Sequence, residues 1–152
     1  MNYWLFKSEP DEYSLADLKG EPGKTGRWDG IRNYQARNFL RDAVREGDGV
    51  LFYHSACKVP AVVGTAQVVR AAYADPAQFD PESKYFDPKA SPENPRWFCV
   101  DIQWQSEFAH PVPLKQIKQD PELAEMVLVK QGRLSIQPVT AEEWRTLSRL
   151  GN

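Results

Sequence analysis

Apolar and polar positions change period several times along the chain, and each change predicts an element. Tyr3 to Lys7 is a short aromatic-rich run closed by Ser8-Glu9-Pro10-Asp11, which reads as a first strand ended by a turn. Ser14-Leu15-Ala16-Asp17 has the spacing of a capping box and Gly20 follows it, so a short helix is expected between them. Gly20, Pro22, Gly23, Gly26 and Gly30 then predict a loop over 20–30 that carries Trp28 into the next element. Ala36, Phe39, Leu40, Ala43 and Val44 recur at helical spacing, with Asn33 as N-cap and Gly47 as stop.

Gly49 to His54 and Pro60 to Ala72 read as strands, the second with alternating faces. Asp75 to Pro95 holds five prolines and little periodicity, a long excursion whose aromatics Phe79, Tyr85 and Phe86 predict that it packs down. Arg96 to Phe108 reads as a third long strand, with Phe98, Val100, Ile102 and Trp104 on one face. Trp97 falls on the other face with Asp101 and Gln103, where a large aromatic covers a second cluster or lines a site. Leu114 to Ile117 fits a helical turn and Leu123 to Val129 an apolar segment. Thr140-Ala141-Glu142-Glu143 caps a final helix with Trp144, Leu147 and Leu150 inward. Strands in the middle and helices around them, without a βαβ rhythm, predict an α+β fold with mostly antiparallel strands.

Composition adjusts this picture only modestly. The 152 residues suffice for one hydrophobic core, and 41% hydrophobic with 26% charged residues is ordinary globular usage. A formal net charge of −2 argues against a protein that coats duplex DNA by charge alone. It leaves room for recognition of one nucleotide by local cations. Lys24, Arg27, Arg32, Arg37, Arg41 and Arg45 outnumber Asp29 and Asp42 in segment 24–45, although a solvated helix face would have the same charges. Two cysteines, Cys57 and Cys99, without a leader read as reduced thiols of a cytoplasmic protein. The first residues are too short an apolar run for a membrane span, so no membrane partner is expected.

Phosphate-loop, dinucleotide, nucleophile-elbow and paired-histidine motifs are all missing. His54, His110, Cys57 and Cys99 have no zinc-site spacing, and no metal or cofactor is expected. His54 and Ser55 point to opposite faces of an extended strand, Cys57 could approach His54 only in a turn, and no acid orients either pair, so no catalytic residue is assigned. What remains suits a planar polar molecule. Trp28 and Trp97 are candidate stacking walls, with Tyr34 and Tyr53 beside them. Arg32, Asn33 and Gln35 offer bidentate hydrogen bonds to a base edge, and Ser8, His54 and Ser55 offer others. The same residues fit a plainer arrangement, with the tryptophans in the core and the polar cluster as helix caps.

Longer motifs narrow the choice. Tyr3-Trp4-Leu5-Phe6-Lys7-Ser8-Glu9-Pro10, Trp28 through Asn38, Gly47-Asp48 followed by Phe52-Tyr53-His54-Ser55, Tyr85-Phe86-Asp87-Pro88 and Pro95-Arg96-Trp97 together resemble the EVE domain family over essentially the whole chain. The resemblance implies one domain over 1–152 with a PUA-like pseudo-barrel, in a superfamily that includes readers of methylated adenine. It implies a non-catalytic reader of a modified base, either modified cytosine in DNA or a modified base in RNA, acting as a monomer. A nucleoside-binding sensor and, less favoured, an enzyme on a modified base are the alternatives. Carried over by motif, the pocket takes Ser8, Trp28, Arg32, Asn33, Tyr34, His54, Ser55 and Trp97; Gln35 and Tyr53 join it on their own chemistry, and Lys7, Arg37 and Arg96 are expected toward the nucleic-acid backbone. The chain departs from the family at Ala56 and Ala61, where relatives often have Asn and Gly.

Overall fold

The computed structural model describes residues 1–152. Its strands are β1 (Tyr3–Ser8), β2 (Thr25–Trp28), β3 (Gly49–His54), β4 (Ala61–Ala74), β5 (Phe98–Pro113) and β6 (Ile136–Val139). Helices α1 (Leu15–Gly20), α2 (Tyr34–Asp42), α3 (Leu114–Gln119), α4 (Val127–Lys130) and α5 (Ala141–Gly151) surround them. The strands form one sheet in the order β2-β5-β4-β3-β1-β6. Every pairing is antiparallel except β1 with β3, which run parallel from Tyr3↔Gly49 to Ser8↔His54. The α+β, mostly antiparallel expectation therefore holds.

Both faces of β1 and β3 are buried, which is what their unbroken apolar runs require. Trp4, Phe6, Val50 and Phe52 face one core, shared with Leu18, Trp28, Leu40 and Ile102. Leu5, Leu51 and Tyr53 face a second, shared with Phe108, Ile117 and Leu147. Tyr53 is thus packed inside, and burial pushes its phenol up to about 12. The long strands β4 and β5 shift register four times, and such bulges increase twist and curl a sheet. One shift falls at Gly64, where a Cβ would sit 2.3 Å from the Ser106 carbonyl oxygen.

Local signals place the helices. Ser14 and Asp17 form the expected capping box of α1, and Thr140 and Glu143 that of α5. The Asn33 side chain accepts from the Ala36 N–H at the start of α2. This helix ends at Asp42, although Val44 beyond it remains buried. Trp28 lies at the end of a strand, not in a loop, because Thr25–Trp28 pairs with Val100–Gln103. The sequence reading also missed β6. Its four residues include Pro138, tolerated because β6 is an edge strand.

Two polar contacts tie the strand ends. At one end, the buried Asp48 carboxylate accepts from the Asn2 and Arg45 backbone N–H groups and from the Trp4 indole N–H. At the other, the Leu15 N–H donates to His54 Nε2 at 3.1 Å, fixing α1 to the end of β3. Past His54 the chain turns through Ala56, whose φ of +50° lies in the left-handed region, costly for a residue with a Cβ and easier for Asn or Gly.

Ala56→Gly relieves that conformation, and a gain of about 0.5–1 kcal/mol is expected from urea unfolding. Burial lowers the His54 pKa below its ordinary 6.5, so the unfolded chain binds the proton more tightly than the folded one. Stability should therefore be complete above pH 6.5 and fall as the pH drops below it. Unfolding midpoints at pH 7.5 and 5.5 should show this loss, and His54→Gln, which retains an acceptor, should reduce it.

Candidate functional site

The parallel pairing brings the carboxyl ends of β1 and β3 to the same edge, the position at which ligands bind in open sheets with parallel strands. There the Ser55 N–H donates to the Ser8 carbonyl at 2.9 Å. The Ser8 hydroxyl donates to the Tyr13 carbonyl at 2.7 Å, which leaves its oxygen free to accept. Beside these serines opens a cavity of about 830 Å³, within the range of small-molecule pockets. Its walls come from four places: Lys7 to Glu9 with Glu12 and Tyr13, Arg27 to Ile31, Lys84-Tyr85, and Gly132-Arg133 with Ser135. Ser55 completes the rim.

Trp28 forms the floor. It is only 5% exposed, with its ring 5.3 Å from both Phe6 and Phe52 and perpendicular to the latter. The plainer expectation therefore applies in part: Trp28 is a core side chain with one edge in the cleft. The chain next turns at Gly30, whose φ is +78°; a Cβ there would approach the Tyr85 ring to 2.9 Å. Glycine is needed at this position for conformation and for space.

Asp75 holds this turn. Its fully buried carboxylate accepts from the Gly30 N–H at 2.9 Å, the Arg32 Nη1 at 3.0 Å and the Ala77 N–H at 2.8 Å. Arg32 also donates through Nε and Nη2 to the Tyr85 carbonyl. The guanidinium thus joins the turn after β2 to the 75–97 excursion, and is largely spent doing so. Gln78, also fully buried, donates to the Asp75 and Trp97 carbonyls and accepts from the Arg96 and Trp97 N–H groups. The excursion packs down, as its aromatics predicted, around these two side chains.

The remaining sequence candidates separate into groups. Ser8, Ser55, Trp28 and Lys7 line the cleft. His54 lies behind it, occupied by Leu15, and Tyr53 is in the second core. Asn33 caps α2, and Gln35 accepts from the Gln131 side chain. Trp97 does not oppose Trp28 across the cleft: it is 6% exposed, donates its indole N–H to Asp87 at 2.8 Å and stacks on Tyr34. Arg37 and Arg96 cluster around Tyr34. Sequence reasoning missed Tyr13, Asp75, Gln78, Lys84 and Arg133, whereas Asp29 belongs to the Trp28–Gln35 segment expected to line a pocket and does line the cleft. The unusual length of the excursion was the available signal for Asp75, Gln78 and Lys84. Arg133 had none, because it arrives through the unrecognised β6.

The cleft carries both signs of charge. Lys7, Arg27, Lys84 and Arg133 face Glu9, Glu12 and Asp29, with Lys84 paired to Glu12 at 3.2 Å. Burial lowers the Lys7 pKa, and its ammonium donates to the Gly132 carbonyl. Burial, then the neighbouring Asp75, raises that of Asp29. The Tyr13 phenol is pushed up to about 12 by burial and by Glu21. Such a rim can meet the donors and acceptors of a heterocycle and a phosphate together. Catalytic geometry is weaker: Cys57 Sγ contacts the His54 carbonyl instead of its ring, and burial pushes the Cys99 thiol up to about 12. No group of three His, Cys, Asp or Glu side chains is placed to hold a metal ion. No helix is long and apolar enough to cross a membrane.

Known proteins share this architecture. Human thymocyte nuclear protein 1 is 41% identical over 94% of this chain and 71% of its own length. A Pseudomonas syringae protein of known structure is 47% identical, with a TM-score of 0.92 and 99% of each chain covered. The human THYN1 protein, solved in complex with 5-methylcytosine containing DNA, is 39% identical, with a TM-score of 0.93 over 100% of this chain and 99% of that one. The expectation of a cytoplasmic protein is corrected by such relatives, which are named as nuclear proteins. Free thiols do not distinguish the two compartments, since both keep thiols reduced. The model of the EVE domain matches residues 2–150, and the chain belongs to the EVE domain family.

Proposed function

We propose that this chain, acting as one domain, is a non-catalytic reader of DNA that takes a modified base, 5-methylcytosine or a close analogue, into the cleft above Trp28. The observation that carries this reading is the cleft itself. It is large enough for a nucleotide, floored by an aromatic ring and rimmed by donors and acceptors at the joint carboxyl ends of β1 and β3. The fold it shares with a protein solved on 5-methylcytosine containing DNA supports the choice of ligand.

Roles follow from position. Tyr13 and Tyr85 offer aromatic surface to the base. Ser8 and Asp29 offer acceptors, which suit the exocyclic amine of cytosine, a donor. The Ser55 hydroxyl both donates and accepts. Lys7 and Arg133 are placed for the phosphate. A base inside a duplex must be extruded to enter, at a cost of a few kcal/mol, so stacking and edge contacts have to exceed that cost. With a near-neutral total charge, little affinity is expected for unmodified duplex.

Fluorescence anisotropy with short duplexes that differ only in one methyl group tests this reading, with RNA of the same sequence as a further arm. The methylated DNA should bind most tightly, and Tyr85→Ala should weaken it about 5- to 100-fold, the value of one stacked base. Arg133→Gln should weaken all DNA alike and reduce the salt slope by about 1. Equal affinity for methylated and unmethylated duplexes overturns the reading, and preference for the RNA reassigns the partner.

A further inference from the structure

Arg32 connects the cleft to a second aromatic surface on the other side of the excursion. Its guanidinium carbon lies 5.2 Å from the Tyr85 ring centre and 5.3 Å from that of Trp97. Tyr34 stacks on Trp97 with ring centres 4.9 Å apart and planes within 30°. Arg37 and Arg96 lie 4.8 Å and 5.8 Å from the Tyr34 ring. Trp97 is covered, whereas Tyr34 is 48% exposed at the first residue of α2. A tyrosine this open, backed by a tryptophan and flanked by two arginines, contributes little to the core.

The arginines keep free capacity. Arg37 donates once to the Arg96 carbonyl and twice to the Asn38 side chain, which leaves two of its five N–H groups unspent. It has no carboxylate within ion-pairing distance, while Arg96 donates through Nη2 to the Tyr34 hydroxyl and has Asp87 at 3.7 Å. The chain's overall charge is slightly negative, so an uncompensated arginine beside an open aromatic ring is a local exception. Aromatic faces with arginines are how proteins hold unpaired nucleotides, the ring stacking on the base and the cations on the phosphates.

We propose that Tyr34, Arg37 and Arg96 form a second DNA-binding station, which stacks a base of the strand leaving the cleft and pairs with its phosphate. This rests on the base-reading function of the cleft and adds a separate subsite to it. The successive spacings through Arg32 and Trp97 place Tyr34 within roughly 15 Å of Tyr85, about four nucleotides along one strand at 3.4 Å each. The competing role for the cluster is a clamp that only closes the excursion onto α2. A clamp would affect stability and leave DNA affinity unchanged.

The test uses the intact chain with three probes: a methylated duplex, its unmethylated counterpart and free 5-methyldeoxycytidine. Tyr34→Ala should lower affinity for both duplexes by about 5- to 100-fold and leave their ratio, and the thermal shift given by the nucleoside, unchanged. Tyr34→Phe, which preserves the ring and releases only the Arg96 bond to the hydroxyl, should bind far more nearly as the parent does than Tyr34→Ala. Arg37→Gln should reduce the salt slope by about 1 and covers the case in which Tyr34→Ala fails to fold. Unchanged duplex affinity in Tyr34→Ala and Arg37→Gln overturns the proposal. So does loss of the nucleoside response in proportion to duplex affinity, which would put Tyr34 in the base site. If the parent does not distinguish the two duplexes, the base-reading function fails, while the loss on Tyr34→Ala still reports the second station.

Discussion

The site depends on one buried carboxylate. Asp75 has no exposure, yet it accepts from two backbone N–H groups and from the Arg32 guanidinium. An unpaired charge there would be prohibitive, and breaking such a pair typically costs about 3–5 kcal/mol. These bonds also determine where the Gly30 turn sits relative to Tyr85, since Arg32 holds the Tyr85 carbonyl while Asp75 holds Arg32. Those two segments form two of the cleft's walls, so its width between them follows from this contact. A recognition site assembled from loops needs such a brace, because each loop alone would sample many conformations.

The second constraint is the parallel β1–β3 pair. Two strands buried on both faces at the centre of a sheet cannot slip register without moving whole side-chain sets to the wrong core. Asp48 pins one end of the pair through Asn2 and Trp4, and the Ser8–Ser55 backbone bond closes the other. The two serines on the rim therefore have positions set by this doubly buried strand pair. Of the cations around them, Lys7 lies on β1 itself and Arg27 on β2, whereas Lys84 and Arg133 come from segments between strands.

Much of the fold was legible because its signals are local. Capping boxes at Ser14 and Thr140, the Asn33 cap, the apolar run of β3 and the period-two runs of β4 and β5 each depend on neighbouring residues, and each formed close to where the pattern put it, although β5 continues to Pro113, beyond the expected Phe108. The parallel pair was not legible, because apolar runs such as Trp4-Leu5-Phe6 and Val50-Leu51-Phe52 reveal double-sided burial but not direction. Nor was β6, whose four residues carry a proline and too little periodicity. The site was half legible for the same reason. Motif residues were identifiable as polar or aromatic, but which face they take is decided at long range. Trp97 and Tyr34 share a motif vocabulary with Trp28, yet Gln78 and Asp87 direct Trp97 to a different side.

The division of the aromatics follows from how each is anchored. Trp28 is gripped by Phe6, Phe52 and Tyr13 on one core, so it gives the cleft a firm floor at the expense of being a movable wall. Trp97 is gripped by Asp87, Tyr34 and Arg32, so it supports an outer surface instead of an inner one. Arg32 lies between the Tyr85 and Trp97 rings and bonds to Asp75 and to the Tyr85 carbonyl. A planar guanidinium can stack on aromatic rings while its in-plane N–H groups bond to oxygens; a lysine ammonium cannot. The same side chain that sets the width of the cleft therefore supports the outer surface, and the two are mechanically one unit. The cleft and the proposed second station, about four nucleotides apart along one strand, would therefore rest on one support.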